Sequence, residues 1–272
     1  MRMGIGSARV TAGEMGAPLL AEERRRRVME TLARRGAVGV AALSQALGCS
    51  EATLRRDLQR LEEEGLLRRT HGGAVLTGDS PEVELPPQDK ATLQAVEKRA
   101  IADAAARLVA PGEAVALNGG TTTLEVARRL RAIGALRVVT NAVGVAAELA
   151  GAPGLEVTLT GGTLRGSLEL SGPLAEQSLR NVYVDTAFIG VDGLTVQHGL
   201  TTYNQVEAHI NRVMIGQARR VIVVADHTKI GRVMMALIAP ARDVAALVTD
   251  AAAPRDHLDE LRAAGIEVVV AV

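Results

Sequence analysis

VAALSQALGCSEATLRRDLQRLEEEGLLRRTHGGAVL, residues 40–76, decides how the N-terminal part of the chain folds. Val40 to Leu47 read as a short helix, Gly48-Cys49 as a tight turn, and Ser50 as the N-cap of a second helix. From Glu51 to Glu64, Leu54, Leu58 and Leu61 fall on one helical stripe, while Thr53, Arg55, Arg56 and Arg60 stand away from it. Gly65 ends that helix, and Leu66 to Leu76 read as two short strands about a turn. Upstream, LLAEERRRRVMETLARR (19–35) places Leu20, Arg24, Val28 and Leu32 at helical spacing. Glu22 and Glu23 in its first turn and Arg34 and Arg35 in its last suit the helix dipole, and Gly36 stops it. Three helices and a hairpin in this order predict a winged helix-turn-helix over 19–76, in which the helix after the tight turn enters the major groove of DNA.

Residue types on that helix fit the task. An arginine in its N-terminal half can donate two parallel bonds to guanine, and Ser and Thr reach bases or phosphates. The candidate DNA-binding residues are therefore Ser50, Thr53, Arg55, Arg56 and Arg60 on the helix, with Arg68, Arg69 and His71 on the wing meeting phosphates or the minor groove. Residues 22–71 hold eleven Arg against eight Asp and Glu, a local excess of three positive charges. A merely solvated arginine face would have the same spacing, so the pattern alone leaves that alternative open.

The whole chain hides this asymmetry. Its 272 residues carry 31 Lys plus Arg and 31 Asp plus Glu, a net charge of zero. With so little excess charge, nonspecific DNA affinity is expected to be weak, leaving specificity to a few arginines and to dimer geometry. Two Tyr, one Phe and no Trp leave almost no aromatic platform for single-stranded nucleic acid. One Cys excludes an internal disulfide or a multi-cysteine zinc site and fits a reducing cytoplasm. No apolar run approaches the ~20 residues that span a bilayer. Residues 1–18 read as a disordered leader, with Met15 the more natural start, and the Pro- and acid-containing stretch 77–90 reads as a linker.

From residue 91 to 272 helical patterns alternate with short apolar strands, ending with strands near 220–225, 236–239, 245–249 and 266–270. That order predicts an α/β domain with a mostly parallel sheet covered on both faces, ligands gathering at the carboxyl ends of the strands. Polar loops fall at those ends. Asn118-Gly119-Gly120-Thr121-Thr122-Thr123 follows a strand and opens a helix, which supplies backbone N–H groups and hydroxyls for an anion such as phosphate. Thr140-Asn141, Gly161-Gly162 with Arg165, Asp192 and Lys229 follow other strands, with Arg165 and Lys229 suited to a phosphate and Asn141 and Asp192 to sugar hydroxyls. Glu207, early in a helix capped by Asn204, either faces the same pocket or pairs with Arg212. The loop lacks the Gly-Lys-Ser/Thr of a nucleotide P-loop, and no GxGxxG follows a strand. The five histidines show no metal-ligand spacing, and Ser171 and Ser178 sit in no nucleophile elbow. No cofactor or metal is expected.

The run from Glu23 to Leu76, above all TLRRDLQRLEEEG and LRRTHGGA, resembles the DNA-binding domain of the DeoR/GlpR family of bacterial transcriptional regulators. NGGTTTLEVA, VVTNAVGVAAEL, LTGGTLR, DTAFIGVDGL, GLTTYNQVEAHINR and VIVVADHTKIGR resemble that family's C-terminal sensor domain. The resemblance implies a Rossmann-like sensor fold similar to ribose-5-phosphate isomerase. It also implies a repressor of carbohydrate genes, released from double-stranded operator DNA by a phosphorylated sugar or related metabolite. A homodimer or homotetramer is expected, because one winged unit reads too few base pairs and two-fold proteins match palindromic half-sites. The sequence departs from part of the family at Asn118, where Asp is frequent, and at Tyr203-Asn204. Two alternatives stand beside this reading: a sugar-phosphate isomerase using Glu207 or Asp192 as the proton-moving acid, and an interaction module with no DNA role.

Overall fold

The computed structural model describes residues 20–35, 37–64, 66–70, 73–76, 90–91 and 93–272. The leader, His71 and all but the last residue of the expected linker lie outside them. The chain divides after Val83 into two compact units.

In the first unit, helices α1 (Ala21–Arg35), α2 (Val40–Leu47) and α3 (Glu51–Glu63) are joined by a three-stranded sheet. Its strands are β1 (Ala37–Gly39), β2 (Leu67–Thr70) and β3 (Gly73–Leu76), in the order β1-β3-β2 and antiparallel throughout. This is the winged helix-turn-helix expected from the sequence, with one addition. The three residues of β1 lie between two helical signals and are too short to show a period; they become a strand because β3 offers them a partner. Gly73 makes that pairing possible, since a Cβ there would lie 2.2 Å from the Val38 carbonyl oxygen. The α2–α3 turn closes on Gly48 in the left-handed region (φ 61°), and Ser50 caps α3 by accepting the Thr53 N–H at 3.1 Å.

The core of this unit is aliphatic: Val28, Leu32, Leu43, Leu54 and Leu58 are fully buried. Arg24 stands on the same stripe of α1 as Val28 and Leu32, and it is held there by Asp57 of α3 at 2.5 Å, both side chains being nearly buried. The Asp57 carboxylate in turn keeps the Arg24 guanidinium charged, raising its pKa. Removing one partner strands a buried charge, so Asp57→Ala is expected to destabilise this unit by about 3 kcal/mol. Urea unfolding followed by helical circular dichroism checks this, and a loss near zero would mean that the pair is solvated.

The second unit is built on a seven-stranded parallel sheet. Its strands are β4 (Ala114–Leu117), β5 (Leu136–Thr140), β6 (Leu155–Leu159), β9 (Val184–Ile189), β12 (Ala218–Val224), β14 (Ala246–Asp250) and β15 (Glu267–Ala271). The order is β15-β14-β12-β9-β4-β5-β6. Period-two alternation sends Val115, Leu117, Phe188, Ile222 and Val224 to one face and Ala116, Ala187, Ile189, Val221 and Val223 to the other. Helices α4 (Ala95–Ala106), α5 (Thr121–Leu130) and α6 (Val143–Leu149) cover the first face. Helices α7 (Pro173–Arg180), α8 (Gln205–Ile215) and α9 (Arg255–Ala263) cover the second.

Two small antiparallel elements depart from the sequence expectation. The strand expected at 236–239 forms as β13 (Ala236–Ala239), but it pairs with β11 (Gly199–Thr202) outside the parallel sheet, beside β10 (Gly193–Thr195). Its apolar residues resemble those of a buried strand because α8 packs on it, which periodicity cannot distinguish from burial in the main sheet. A short hairpin, β7 (Thr163–Leu164) with β8 (Leu170–Ser171), lies within the stretch that reads in the sequence only as a polar loop.

Candidate functional site

In the first unit, α3 presents Arg55 and Arg56 to solvent. Arg55 makes an i,i+4 ion pair with Glu51 at 2.8 Å, and Arg60 makes one with Glu64 at 3.3 Å, both exposed. Ser50 and Thr53 share a 2.8 Å hydroxyl contact at the start of the helix, so their oxygens are engaged in the cap itself. On the wing, the Arg69 main-chain N–H donates to Glu62 at 2.7 Å. That bond satisfies a donor on the outer strand of the sheet and fixes the wing to α3. The Arg68 side chain and His71 lie outside the described residues.

In the second unit the strand order reverses between β4 and β9: the chain runs outward through β5 and β6, returns, and runs the other way through β9, β12, β14 and β15. Ligands of open α/β sheets bind at such switch points, outside the carboxyl ends of the strands. The loops after β12, β9, β4, β5 and β6 follow neighbouring strands, so the parallel order brings the sequence-predicted residues to one end of the sheet.

Their individual roles differ. Asn118 is buried and bridges the switch point, donating to the Gly190 carbonyl at 3.0 Å and accepting the Gly190 N–H at 2.8 Å. Thr140 is likewise committed to the fold, since its hydroxyl donates to Leu117 and accepts from the Ala142 N–H. Gly119 and Gly120 lead into α5, whose N-cap Gly120 (φ 145°) offers no side-chain cap and whose first turn, with Thr121, Thr122 and Thr123, holds no acid. The positive end of that helix therefore faces the loop with no acid in its first turn to balance it. Gly190, in the loop after β9, lies against the first turn of α5, a Cβ on it falling 3.4 Å from Thr123 Cγ2.

Asp192 joins this centre to lysines. Its Oδ1 lies 3.4 Å from Lys90 Nζ and 3.6 Å from Lys229 Nζ, and its Oδ2 accepts from the Thr202 hydroxyl at 3.0 Å. Lys90 also lies 5.2 Å from the ring centre of Tyr203. Lys229 sits in a 3₁₀ turn (His227–Lys229) capped by Asp226. Arg165 is exposed between β7 and β8, its Nε donating to Ser171 at 3.1 Å, and Gly161 and Gly162 are exposed just before β7. Glu207 is buried in the first turn of α8, and Arg212 donates to the main-chain carbonyls of Leu237 and Ile238.

One residue that the sequence motifs do not single out belongs with these. Lys98 on α4 is buried, donates from Nζ to the carbonyls of Lys90 and Leu93, and lies within electrostatic reach of Asp226, Lys229 and Lys90. Burial pushes its ammonium down to about 8, reinforced by the two lysines and opposed by Asp226. Its place on the stripe of Ile101 and Ala105 is the signal that could have found it: a lysine in register with apolar residues is a lysine drawn inward. Among the described residues, no cluster of three or more His, Cys, Asp or Glu could hold a metal ion, and no helix is long and apolar enough to cross a membrane.

A winged helix with exposed arginines on its third helix, followed by a separate α/β unit whose glycine-rich loops meet lysines at a switch point, defines a DNA-binding regulator with its own sensor domain. Residues 24–79 match the family described as the DeoR-like helix-turn-helix domain, and residues 93–251 match the DeoR C-terminal sensor domain. The chain is 40% identical over 250 residues to a putative aga operon transcriptional repressor of Escherichia coli O157:H7, covering 91% of this chain and 93% of that one. It is 40% identical over 253 residues to the HTH-type transcriptional regulator GlpR of Haloferax volcanii, covering 92% and 98%. A ribose 5-phosphate isomerase from Methanocaldococcus jannaschii overlaps 50% of the chain at 16% identity and a TM-score of 0.38. The chain belongs to the DeoR family of transcriptional regulators. It is a DNA-binding regulator, as its relatives are named, and the DNA-binding domain removes the alternative of an interaction module with no DNA role.

Proposed function

We propose that this regulator represses a carbohydrate-metabolism operon and is released from its operator by a phosphorylated sugar or related metabolite. Supporting it, the uncapped, glycine-led start of α5 lies against Gly190 of the loop after β9, and Asp192 of that same loop meets Lys90 and Lys229, with Lys98 in electrostatic reach of both lysines. Main-chain N–H groups of the α5 start and the lysines hold the phosphate, while Asp192 and Asn141 face the hydroxyls, with Arg165, Gly161, Gly162 and Glu207 completing the pocket. Operator contacts come from Ser50, Thr53, Arg55, Arg56 and Arg60 on α3 and from Arg68, Arg69 and His71 on the wing. The protein acts in the cytoplasm as a homodimer or homotetramer, whose two-fold symmetry matches a palindromic operator.

Effector and operator need only prefer different states of the protein, with a coupling of about 1–3 kcal/mol. Deleting the gene is expected to raise expression of an adjacent transport or kinase gene about tenfold, as read by a promoter fusion. Growth on the cognate sugar should give the same increase in the wild type and none in the deletion strain. Unchanged expression of every neighbouring carbohydrate gene in the deletion strain would contradict the assignment.

A further inference from the structure

The β7–β8 hairpin carries an acid where the proposed site needs an anion. Residues Gly161 to Gly166 are all exposed, and Leu164 and Leu168 leave their apolar side chains in solvent, yet Glu169 between them and β8 is buried. Its side chain lies on Gly119. A Cβ built on that glycine would fall 2.1 Å from Glu169 Oε1 and 2.3 Å from its Cγ, so the absence of a side chain at 119 creates the seat for the carboxyl. Asn141 donates from Nδ2 to Glu169 Oε2 at 3.1 Å and to the Leu170 carbonyl at 3.2 Å, while the buried Asn141 Oδ1 has no hydrogen-bond partner. Because both Nδ2 partners are acceptors, the amide cannot be turned round to relieve that oxygen. Few main-chain bonds hold the hairpin against the sheet: Leu170 N–H to Asn141 at 2.7 Å and Val143 N–H to Leu168 at 3.1 Å. Leu168 itself sits in the left-handed region at φ 62°, a conformation that a leucine adopts at a cost.

We propose that Glu169 acts as an internal anion seated on the glycine-rich loop, and that the effector's phosphate competes for this seat, displaces the carboxyl and releases the hairpin. Burying a carboxylate is costly unless something compensates it, and the first turn of α5 supplies positive potential with no acid of its own. A phosphate monoester carries about −1.5 to −2 charges at neutral pH, more than a carboxylate can, so it competes effectively with Glu169 for the positive end of α5. A phosphate on the same glycine-rich loop repels the seated carboxylate, which favours its departure. Displacement therefore frees the segment from Thr163 to Ser171, together with Arg165 and the two exposed leucines, which gives phosphate binding a moving part. The proposal rests on the phosphate-site reading above and assigns the regulation of that site.

Calorimetric titration of the full chain with inorganic phosphate, glycerol 3-phosphate, ribose 5-phosphate and glucose 6-phosphate tests it. Glu169→Gln keeps the shape and removes the charge, and it is expected to bind the phosphate compounds at least tenfold more tightly than the wild type. Equal or weaker binding by Glu169→Gln, as expected if the carboxylate accepts a sugar hydroxyl instead, overturns the proposal. Binding by neither protein removes the anion site and the plug with it. Hydrogen exchange on the wild type needs no variant: phosphate should accelerate exchange at the Leu170 amide, and unchanged or slower exchange there contradicts displacement. Gly119→Ala, whose new methyl would fall 2.1 Å from Glu169 Oε1 and 2.3 Å from its Cγ, should accelerate the same amide without ligand if the carboxyl is seated as proposed.

Discussion

Replacing Arg55 and Arg56 together by alanine is expected to weaken operator binding about a thousandfold. Both lie in the N-terminal half of α3, the part of a recognition helix that meets base edges, and both are exposed. A bidentate arginine–guanine contact contributes about 1–3 kcal/mol of discrimination, so two together amount to about 4 kcal/mol, or three decades in Kd. The Arg55–Glu51 pair must open to release the guanidinium, but an exposed i,i+4 pair is worth only about 0.3–0.5 kcal/mol. The double substitution should leave thermal stability nearly unchanged, because Leu54 and Leu58, which anchor the helix, are buried on its other side. Fluorescence anisotropy with a promoter fragment reads the loss, and the melting curve serves as the control. Affinity within a factor of three of wild type would mean that α3 is not the reading helix.

The second large effect concerns Lys98. Lys98→Met is expected to weaken effector binding by about thirtyfold while leaving operator affinity in the absence of effector untouched. Methionine retains most of the buried volume and removes only the charge and its donors. The wild type should carry a pH signature that the variant lacks. Burial holds Lys98 at about 8 in the free protein; a phosphate placed nearby stabilises the ammonium and raises that value in the complex. Binding then takes up protons above pH 8, so the Lys98 contribution to effector affinity should be constant below about pH 7 and fall as pH rises from 8 toward 10. For folding the sign is the opposite. The folded value lies below the ordinary 10.5, so this lysine opposes folding below pH 8 and the opposition disappears as pH rises from 8 through 10.5. Calorimetry at pH 7, 8 and 9.5 on both proteins separates the two effects. A wild-type affinity that does not change between pH 8 and 9.5 would place Lys98 away from the bound anion.

Much of this arrangement is legible in the amino-acid sequence. The stripe of Leu54, Leu58 and Leu61, the Gly48 turn and the Ser50 cap specify the recognition helix by local chemistry, and the structure forms all three. The alternation of helices with apolar strands likewise specifies a parallel sheet, and with it the end at which loops collect. What the sequence conceals depends on partners distant along the chain. Arg24 is a charged residue out of place on an apolar stripe until Asp57, 33 positions away, accounts for it. Lys98 carries the same signal on α4 and is explained by carbonyls and carboxylates contributed by other segments. In both cases a charge in register with a buried stripe marks a buried partner. Glu169 carries no such signal, because a two-residue strand has no period and the seat on Gly119 exists only once β4 and the hairpin have met. Strand β13 misleads for the converse reason: an apolar tetrapeptide reads alike in either sheet.

The measurement that bears most directly on the whole account is operator binding by the intact wild-type chain, titrated with sugar phosphates at fixed salt. A labelled fragment from the regulator's own promoter region should bind tightly and specifically at physiological ionic strength. One phosphorylated sugar, and not its dephosphorylated form, should lower that affinity by about 5- to 150-fold, the span of a 1–3 kcal/mol coupling. Operator affinity that is the same with every phosphorylated sugar in a broad panel would contradict the claim that the second unit is a phosphate-responsive sensor.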